Sequence, residues 1–591
     1  MASPGASAAS AASADAAAGP RRRGRDTATA DAVLRNTLRY TVSAKEYACL
    51  HRYILSKSRL VRRHVPSPAS VERVLQQQQL QQQQQLPHAA DSPGHHDYNA
   101  RAVRHALRVL VVTWLGSKAW QGVTGRLRAG RDKATSPTTS PQLQSWPRSH
   151  ALRLSLSLST ILVLYRLIFR FISRLRAQLL DAQAEPFRRR NPRTAAALTS
   201  IYAPAIGASL AGLGLGIYPS QQLRLSIAIF AMFRALEFGW NACEMDGSIW
   251  GFHNGRKRER PWWFGSWMLQ PFANGQLLHA CVFDRDCFPA AYGNFIFNNS
   301  SAYLHKRPRD WPASLKWPKT NEIVDSLAEM ARLNWPPYIS PTMFPTKEAL
   351  PRSLQMVSPL TSRAHPLITS LSCATLHPND PSCLRTYLTF WLDSFPLLAR
   401  FFLGLYSALT IVSRFRTLHS YPFATLQRII SRALRMSAFV TGAISTAWAS
   451  ICFFQNYLPR HVLPTQRFFL GGFVAGLWAW LERRSGRAVF IYSARASVDS
   501  LYKVGVKRRW WTAMRGGEVA VFTLALMVTG VVYERDARAV HEAQWRKGIS
   551  WLRGEDWRDW AVEDESDDDD DEGADEQREE TRAALARRGN E

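Results

Sequence analysis

The pattern of apolar and polar positions predicts that much of this chain is helical and lies in a membrane. Residues 194–223 form a run of thirty residues without a charged side chain. An α-helix needs about 20 mostly apolar residues to cross the hydrocarbon core of a bilayer. Core helices of soluble proteins keep a polar face, so a soluble chain rarely contains several such runs. Four more apolar-rich stretches follow, at 225–242, 262–283, 386–413 and 436–458.

Two shorter apolar runs, 468–481 and 519–533, supply further candidate spans. The fold class predicted from all of these runs is an all-α, polytopic membrane bundle of about six to eight spans. Residues 151–176 are apolar but carry Arg166, Arg170 and Arg174 at intervals of four residues. A basic stripe of this kind favours an amphipathic helix that lies in the membrane interface rather than one that crosses.

Composition agrees with the membrane interpretation once the position of the charges is considered. The 591 residues carry a net charge of +29 and include 21 Trp. Basic residues cluster beside apolar runs, at Arg188–Arg190, Arg256–Arg258 and Lys507–Arg509. Juxtamembrane Lys and Arg with interfacial Trp are typical of membrane proteins, so the predicted partner is the lipid bilayer, and no nucleic acid is predicted. The seven cysteines are too scattered for a disulfide scaffold, and no cofactor is predicted.

The domain organisation follows from shifts in composition along the chain. The polar N-terminal arm and the acidic C-terminal tail are predicted to be disordered and are candidate surfaces for protein partners. The predicted segments are disorder at 1–30, an amphipathic helix at 31–64, a linker with a short helical segment at 65–150, a first membrane unit at 151–284, a Trp/Pro-rich loop region at 285–372, a second membrane unit at 373–540, and the acidic tail at 541–591.

A faint repeat suggests that the two membrane units are related. Ala211-Gly212-Leu213 is followed by Arg234 and Glu237, and Ala475-Gly476-Leu477 is followed by a similar set of charged residues. Internal repeats are common in membrane transporters. Chance similarity between Gly-rich spans explains the pattern equally well.

Small residues recur at intervals of four in both Gly-rich runs. Gly212 and Gly216 form one pair, which Ala208 extends by a turn, and Gly472 with Gly476 forms the other. Small residues at this spacing allow helix backbones to approach closely in lipid. The pattern therefore predicts helix packing, and a pore-lining role is the alternative.

Four ionisable residues fall inside predicted spans. Arg234 and Glu237 lie three apart in one run, and Asp393 and Arg400 lie in another. Charges at membrane depth are costly and are usually paired or line a wet cavity. They are therefore candidate elements of a polar pathway, or self-neutralising pairs near helix ends.

Cysteine and histidine cluster in the motif CATLHPNDPSC, which contains Cys373, His377 and Cys383. Thiolate and imidazole are zinc ligands, but a closed structural site needs four ligands. A disulfide between the two cysteines and ordinary loop thiols are the alternatives. A metal site would need a fourth ligand from His365, Cys281 or Cys287.

A His-x4-Asp pattern, formed by His279 and Asp284, offers an enzymatic alternative. Such a pair resembles the base and its partner in some membrane acyltransferases. A helix-end histidine beside a solvated aspartate is the simpler interpretation.

Three segments resemble the transmembrane protein 135 family. CATLHPNDPSC looks like the Cys-His-Pro-Ser-Cys signature of that family, although it lies in the middle of this chain. LERRSGRAVFIYSARASVDSLYKVGV and RGGEVAVFTLALMV look like its most characteristic block. The residues that fall on matching positions are Glu482, Arg483, Arg484, Arg487, Tyr492, Gly517 and Glu518.

The resemblance implies a multi-span protein of peroxisomal or mitochondrial membranes. The family is similar to the inner-membrane translocase pore proteins and is linked to organelle dynamics and lipid metabolism, without catalytic residues to carry over. The leading hypothesis is therefore a non-enzymatic organelle-membrane protein with a transport-like or scaffolding role. The alternatives are a membrane acyltransferase and a passive tether whose arms recruit partners.

Overall fold

The computed structural model describes residues 47–48, 51–52, 98–131, 149–309, 311–312, 316–343 and 350–561, without the side chains of 127–131 and 414–417. The predictions of disorder at 1–30 and of an acidic run at 563–580 lie outside these residues. So does nearly all of the amphipathic helix predicted at 31–64.

The described part of the chain is built almost entirely from helices. Its α-helices are α1 (Tyr98–Arg131), α2 (His150–Leu180), α3 (Glu185–Arg190), α4 (Pro192–Thr199), α5 (Ala203–Ser209), α6 (Gln221–Met245), α7 (Leu269–Phe283), α8 (Ala290–Asn298), α9 (Thr320–Arg332), α10 (Ser358–Thr361), α11 (Leu371–Leu376), α12 (Cys383–Ser420), α13 (Pro422–Tyr457), α14 (Arg467–Gly476), α15 (Arg487–Lys507), α16 (Gly517–Arg535) and α17 (Ala543–Arg553).

Short 3-10 helices extend or connect several of these. They are Ala182–Ala184, Leu210–Ile217, Ser266–Met268, Arg285–Cys287, Arg352–Val357, Leu477–Glu482 and Ala537–Ala539.

The β-structure of the described residues is one small hairpin between α6 and α7. Its strands, β1 (Phe252–His253) and β2 (Arg256–Lys257), are antiparallel. Asn254 and Gly255 connect them with φ angles of 52° and 75°. Positive φ at both central residues is the requirement of a type I′ turn, and Asn-Gly is the dipeptide that meets it best.

Four helices of the described chain are long and apolar enough to cross a membrane, namely α2, residues 383–413 of α12, α13 and α16. A fifth candidate is the pair formed by α4 and the segment Ala203–Ile217, which is bent by 83°. The uncharged run at 194–223 is therefore a broken element and not a straight span. The predicted span at 262–283 is shortened to α7, which has 15 residues, so the six to eight spans remain a prediction.

The prediction that 151–176 lies flat in the interface is corrected, because α2 is one of the four candidate spans. The basic stripe has three different surroundings, since Arg166 is buried, Arg170 is half-buried and Arg174 is exposed. Arg166 is 2 % exposed, and its Nη1 lies 2.6 Å from Nδ1 of His105 on α1. The guanidinium of Arg170 lies 4.3 Å from the ring centroid of Tyr98. Two of the three arginines, Arg166 and Arg170, therefore contact α1.

The first compact unit comprises Met1–Arg224 and Phe522–Glu591. Tyr165, Ala208 and Ala211 form its apolar core. The segment predicted as an acidic tail contributes α17 to this unit, since the backbone carbonyl of Arg553 accepts a hydrogen bond of 2.8 Å from the Tyr98 hydroxyl. The acidic tail was thus predicted to begin too early. The linker predicted at 65–150 contains α1, which is 34 residues long.

The second compact unit comprises Leu225–Val521. The region predicted as a Trp/Pro-rich loop, 285–372, folds into α8, α9, α10 and connecting turns. Met330 and Trp335 are almost fully buried in the core that this region shares with α13. The loop prediction is corrected because this region forms helices and places Met330 and Trp335 in an apolar core.

The order of elements repeats along the chain. In each half two long helices pack as neighbours, α1 with α2 and α12 with α13. A Gly-rich α-helix follows and tightens into a 3-10 helix, at Leu210–Ile217 after α5 and at Leu477–Glu482 after α14. A longer helix then begins within a few residues, α6 or α15. The repeat suggested by the sequence therefore has a counterpart in the structure.

Candidate functional site

The first Gly-rich segment packs through a different set of small residues from the one predicted. Ala208 and Gly212 are buried, and a Cβ added at Gly212 would lie 2.8 Å from the Cα of Thr523 on α16. Gly216 is exposed, and Gly214 packs instead, against Ile161. A 3-10 helix has three residues per turn, so the spacing of four predicted for an α-helix does not keep Gly216 on the packed face.

The second Gly-rich segment lies directly against α7. A Cβ added at Gly472 would lie 2.8 Å from the Cα of Gly275, and one added at Gly476 would lie 2.6 Å from the backbone nitrogen of Pro271. The neighbouring atoms are backbone atoms, which cannot rotate away. Both glycines therefore allow α14 and α7 to approach closely, as small residues do in membrane helices.

A cavity of about 450 Å³ lies in the second unit, beside this glycine contact. Ligand pockets of roughly 300–1,000 Å³ with mostly apolar walls are the usual size for small-molecule sites. The apolar wall residues include Leu277, Leu278, Val282, Phe295, Ile296, Phe439, Val440, Ala443, Ala447 and Ala475.

A few polar side chains enter the cavity wall on α7 and α8. The Gln270 amide Nε2 donates a hydrogen bond of 2.9 Å to Oδ1 of Asn274, and the hydroxyl of Tyr292 lies 3.4 Å from the same oxygen. Gln270 is 2 % exposed, and its Oε1 has no hydrogen-bond partner. A buried amide oxygen without a partner is costly, so this wall of the cavity carries an unsatisfied polar atom.

The cavity wall formed by α13 includes one positively charged side chain, that of Arg432. Arg432 lines the cavity and is itself exposed. Its guanidinium lies 4.7 Å from the ring centroid of Tyr406, another lining residue. The cavity thus combines an apolar interior with a positive charge that also reaches the outside.

The charged residues predicted inside spans separate into two pairs with different surroundings. Glu237 lies 3.0 Å from Arg234 on the same helix and 2.6 Å from Arg487 on α15. This carboxylate therefore joins a predicted membrane charge to a residue of the family-like block. Asp393 and Arg400 are exposed on α12, and their role as elements of a polar pathway stays a prediction.

The other residues of the family-like block lie in the 3-10 helix Leu477–Glu482 and the turn after it, on α15, and at the start of α16. Glu482 is 1 % exposed and lies 3.3 Å from Arg435. Tyr492 lines the cavity. The guanidinium of Arg483 lies 3.9 Å from the Trp480 ring centroid. Three further members complete the block: Arg484 is exposed, Gly517 opens α16, and Glu518 is buried.

The His-x4-Asp pair does not have the geometry of a base and its carboxylate partner. Asp284 is buried and lies 2.6 Å from Arg508 and 3.3 Å from Lys507. His279 packs instead on the ring of Phe283, with centroids 4.8 Å apart. The Asp284 carboxylate is therefore neutralised by two cations of α15 and its C-terminal turn, and it does not orient the imidazole.

The Cys-His motif forms a compact cluster with a fourth member. Sγ of Cys373 and Sγ of Cys383 lie 3.6 Å apart, and Nε2 of His377 lies 3.4 Å from Sγ of Cys383. A disulfide bond measures about 2.04 Å, and both residues are free thiols. Sγ of Cys452, on α13, lies 3.6 Å from the same Nε2.

The sequence predicts His365, Cys281 or Cys287 as the fourth ligand, and none of these three belongs to the cluster. The imidazole of His365 accepts a hydrogen bond of 3.2 Å from the backbone nitrogen of Leu367. Cys281 and Cys287 belong to other apolar clusters around α7. The four potential ligand atoms that the structure groups together are those of Cys373, His377, Cys383 and Cys452.

Comparison with known proteins leaves the functional assignment to the geometry. No protein-family model matches this chain, and no solved structure matches it significantly. The resemblance to the transmembrane protein 135 family stays a prediction from the quoted segments.

Proposed function

We propose that this chain is a non-enzymatic integral organelle-membrane protein with a transport-like role in lipid metabolism, and that it binds an amphipathic anion such as a fatty acid. The observation that carries the proposal is the cavity of about 450 Å³ in the second unit. Its wall is mostly apolar, and Arg432 supplies an exposed positive charge. An apolar chain fits the interior, and a carboxylate or phosphate head pairs with a guanidinium.

The repeated architecture supports a transport-like role over a purely scaffolding one. Many transporters contain internal repeats in which discontinuous helices occupy corresponding positions near the binding site. Here α5 and α14 each change to a 3-10 helix at corresponding positions. Gly472 and Ala475 of the second such segment line the cavity.

Binding is tested with the full chain in neutral phospholipid nanodiscs, using a fluorescent fatty acid and its uncharged methyl ester. Arg432→Gln removes the charge at the cavity and is expected to weaken binding of the acid about tenfold while leaving the ester unaffected. Arg428→Gln is the matched control, since Arg428 is exposed one turn earlier on α13 and does not line the cavity. Equal effects of both variants would contradict the proposal.

The apolar part of the site has its own test. Ala447→Phe places a ring in the cavity and is expected to weaken binding of both acid and ester. Leu409→Phe on the exposed surface of α12 is the control for added aromatic area. Unchanged binding in Ala447→Phe would place the ligand elsewhere.

If the chain also transports lipids, an anionic phospholipid that carries a label should exchange between the two leaflets faster in proteoliposomes than in protein-free vesicles. No difference in rate would favour the scaffolding or tether alternatives. The peroxisomal or mitochondrial location and the family membership belong to the same proposal. Co-localisation of the tagged chain with organelle markers tests the location.

A further inference from the structure

We infer that Cys373, His377, Cys383 and Cys452 bind one zinc ion in a closed, structural site. This site is separate from the proposed lipid cavity, and none of the four residues lines that cavity. The four ligand atoms lie within 4.8 Å of one another. Three cysteines and one histidine are one of the common ligand sets of structural zinc.

Three of the six distances between the ligand atoms match tetrahedral coordination, and all six lie within 4.8 Å. With Zn–S near 2.3 Å and Zn–N near 2.0–2.1 Å, tetrahedral angles place two sulfurs about 3.8 Å apart and a sulfur about 3.5 Å from a nitrogen. Sγ of Cys373 and Sγ of Cys383 are 3.6 Å apart. Nε2 of His377 lies 3.4 Å from Sγ of Cys383 and 3.6 Å from Sγ of Cys452. Thiol hydrogen bonds are the alternative explanation for distances this short, and metal analysis distinguishes the two.

The histidine is held in the tautomer that a metal requires. Nδ1 of His377 lies 2.7 Å from the backbone carbonyl oxygen of Asp380. A carbonyl oxygen can only accept, so Nδ1 carries a proton, and Nε2, which faces the sulfurs, is the ring nitrogen that would bind the ion. Histidine ligands of metals almost always donate their second ring N–H to a carboxylate, a backbone carbonyl or water.

The surroundings suit a buried ion. Cys373, His377 and Cys452 are buried. The amide Nδ2 of Asn456 lies 4.0 Å from both Sγ of Cys373 and Sγ of Cys383. An amide donor beside two thiolates offsets part of the negative charge that three thiolates leave on a zinc centre.

The site lies at one end of the α12–α13 pair. Cys383 is the first residue of α12, and Cys452 lies near the C-terminus of α13. Cys373 lies on α11, and His377 follows that helix directly. Zinc binding forms three Zn–S bonds and one Zn–N bond and releases the three thiol protons to solvent. The ion would therefore connect α11 and the residue that follows it to both long helices.

The proposal is tested by metal analysis of the full chain, purified in detergent with a reductant and without added metal. The expected result is one zinc per chain, lost in Cys452→Ser. Cys287→Ser is the matched control because Cys287 is also buried but belongs to a different cluster. His377→Cys is expected to keep the ion in a four-cysteine site, whereas His377→Ala loses it.

A second measurement covers the case in which the variants do not fold. Cobalt substituted into the wild-type chain is expected to give the intense visible absorption of tetrahedral thiolate coordination. The proposal is overturned if the wild type contains no stoichiometric zinc and cobalt gives no tetrahedral spectrum. It is also overturned if Cys287→Ser lowers the zinc content as much as Cys452→Ser, or if the unreduced chain carries a Cys373–Cys383 disulfide.

Discussion

The contact between α14 and α7 makes a sharp prediction for Gly472→Ala. The new Cβ would lie 2.8 Å from the carbonyl carbon of Asn274 and from the Cα of Gly275, and closer still to the Asn274 carbonyl oxygen. Carbon atoms prefer about 3.5–4.0 Å, so the two helices must separate by roughly 1 Å. Overpacking of this kind costs typically ~1–3 kcal/mol. The obstructing atoms are backbone, which places the expected loss in the upper half of that range.

Gly404→Ala is the control for this substitution. Gly404 lies within α12, and nothing lies within 4 Å of a Cβ added there. Alanine is favoured over glycine in a helix by about 1 kcal/mol, so this variant is expected to be as stable as the parent or more stable. Thermal unfolding of the purified variants in one detergent measures both. If Gly472→Ala is stabilised as much as Gly404→Ala, the close packing of α14 on α7 is refuted.

Three further outcomes follow from other contacts. Gly212→Leu is expected to lower detergent-solution stability by more than Gly472→Ala, because the whole side chain must enter a backbone contact; normal stability would contradict the packing. Glu237→Gln leaves the half-exposed Arg487 guanidinium without its carboxylate and is expected to cost about 0.2–1 kcal/mol, which partial recovery in a Glu237→Gln/Arg487→Gln double variant would attribute to the pair. Hydrogen bonds from Arg546 lower the pKa of Asp559. The folded pKa is thus below the unfolded value near 3.9, so this pair stabilises the docking of α17 above that pH and the contribution is lost as the pH falls through the folded pKa. The protection of the α17 amides, measured as exchange rates relative to the intrinsic rates at each pH, should therefore fall as the pH drops below about 4, and Asp559→Asn should flatten that dependence.

The sequence predicts the helical membrane class well because that class depends on local hydropathy. The apolar runs at 386–413 and 436–458 correspond to α12 and α13, both candidate spans. The stripe of Arg166 and Arg170 misleads because its partners on α1 are remote in sequence. A local pattern shows that a face is basic, but it does not show whether lipid, water or another helix covers it.

The candidate sites show the same limit. Cys373, His377 and Cys383 are adjacent in sequence and were found together, whereas Cys452 is distant and was missed. The sequence does contain a signal for Cys452. Two consecutive spans place the start of the first, near Cys383, and the end of the second, near Cys452, on the same side of a membrane. The exposed position of Gly216 follows from the change to a 3-10 helix at Leu210, which spacing alone does not reveal.

The most direct test of the proposed function is photo-crosslinking of the full chain in membranes with a diazirine-labelled fatty acid. Peptide mass spectrometry is expected to find the label on the cavity wall, within 270–297 and 432–447, and an excess of unlabelled acid should compete it away. Arg432→Gln should lower this labelling, and Arg428→Gln should not. Labelling confined to the outward surface of α12, without competition, would contradict a lipid-binding cavity.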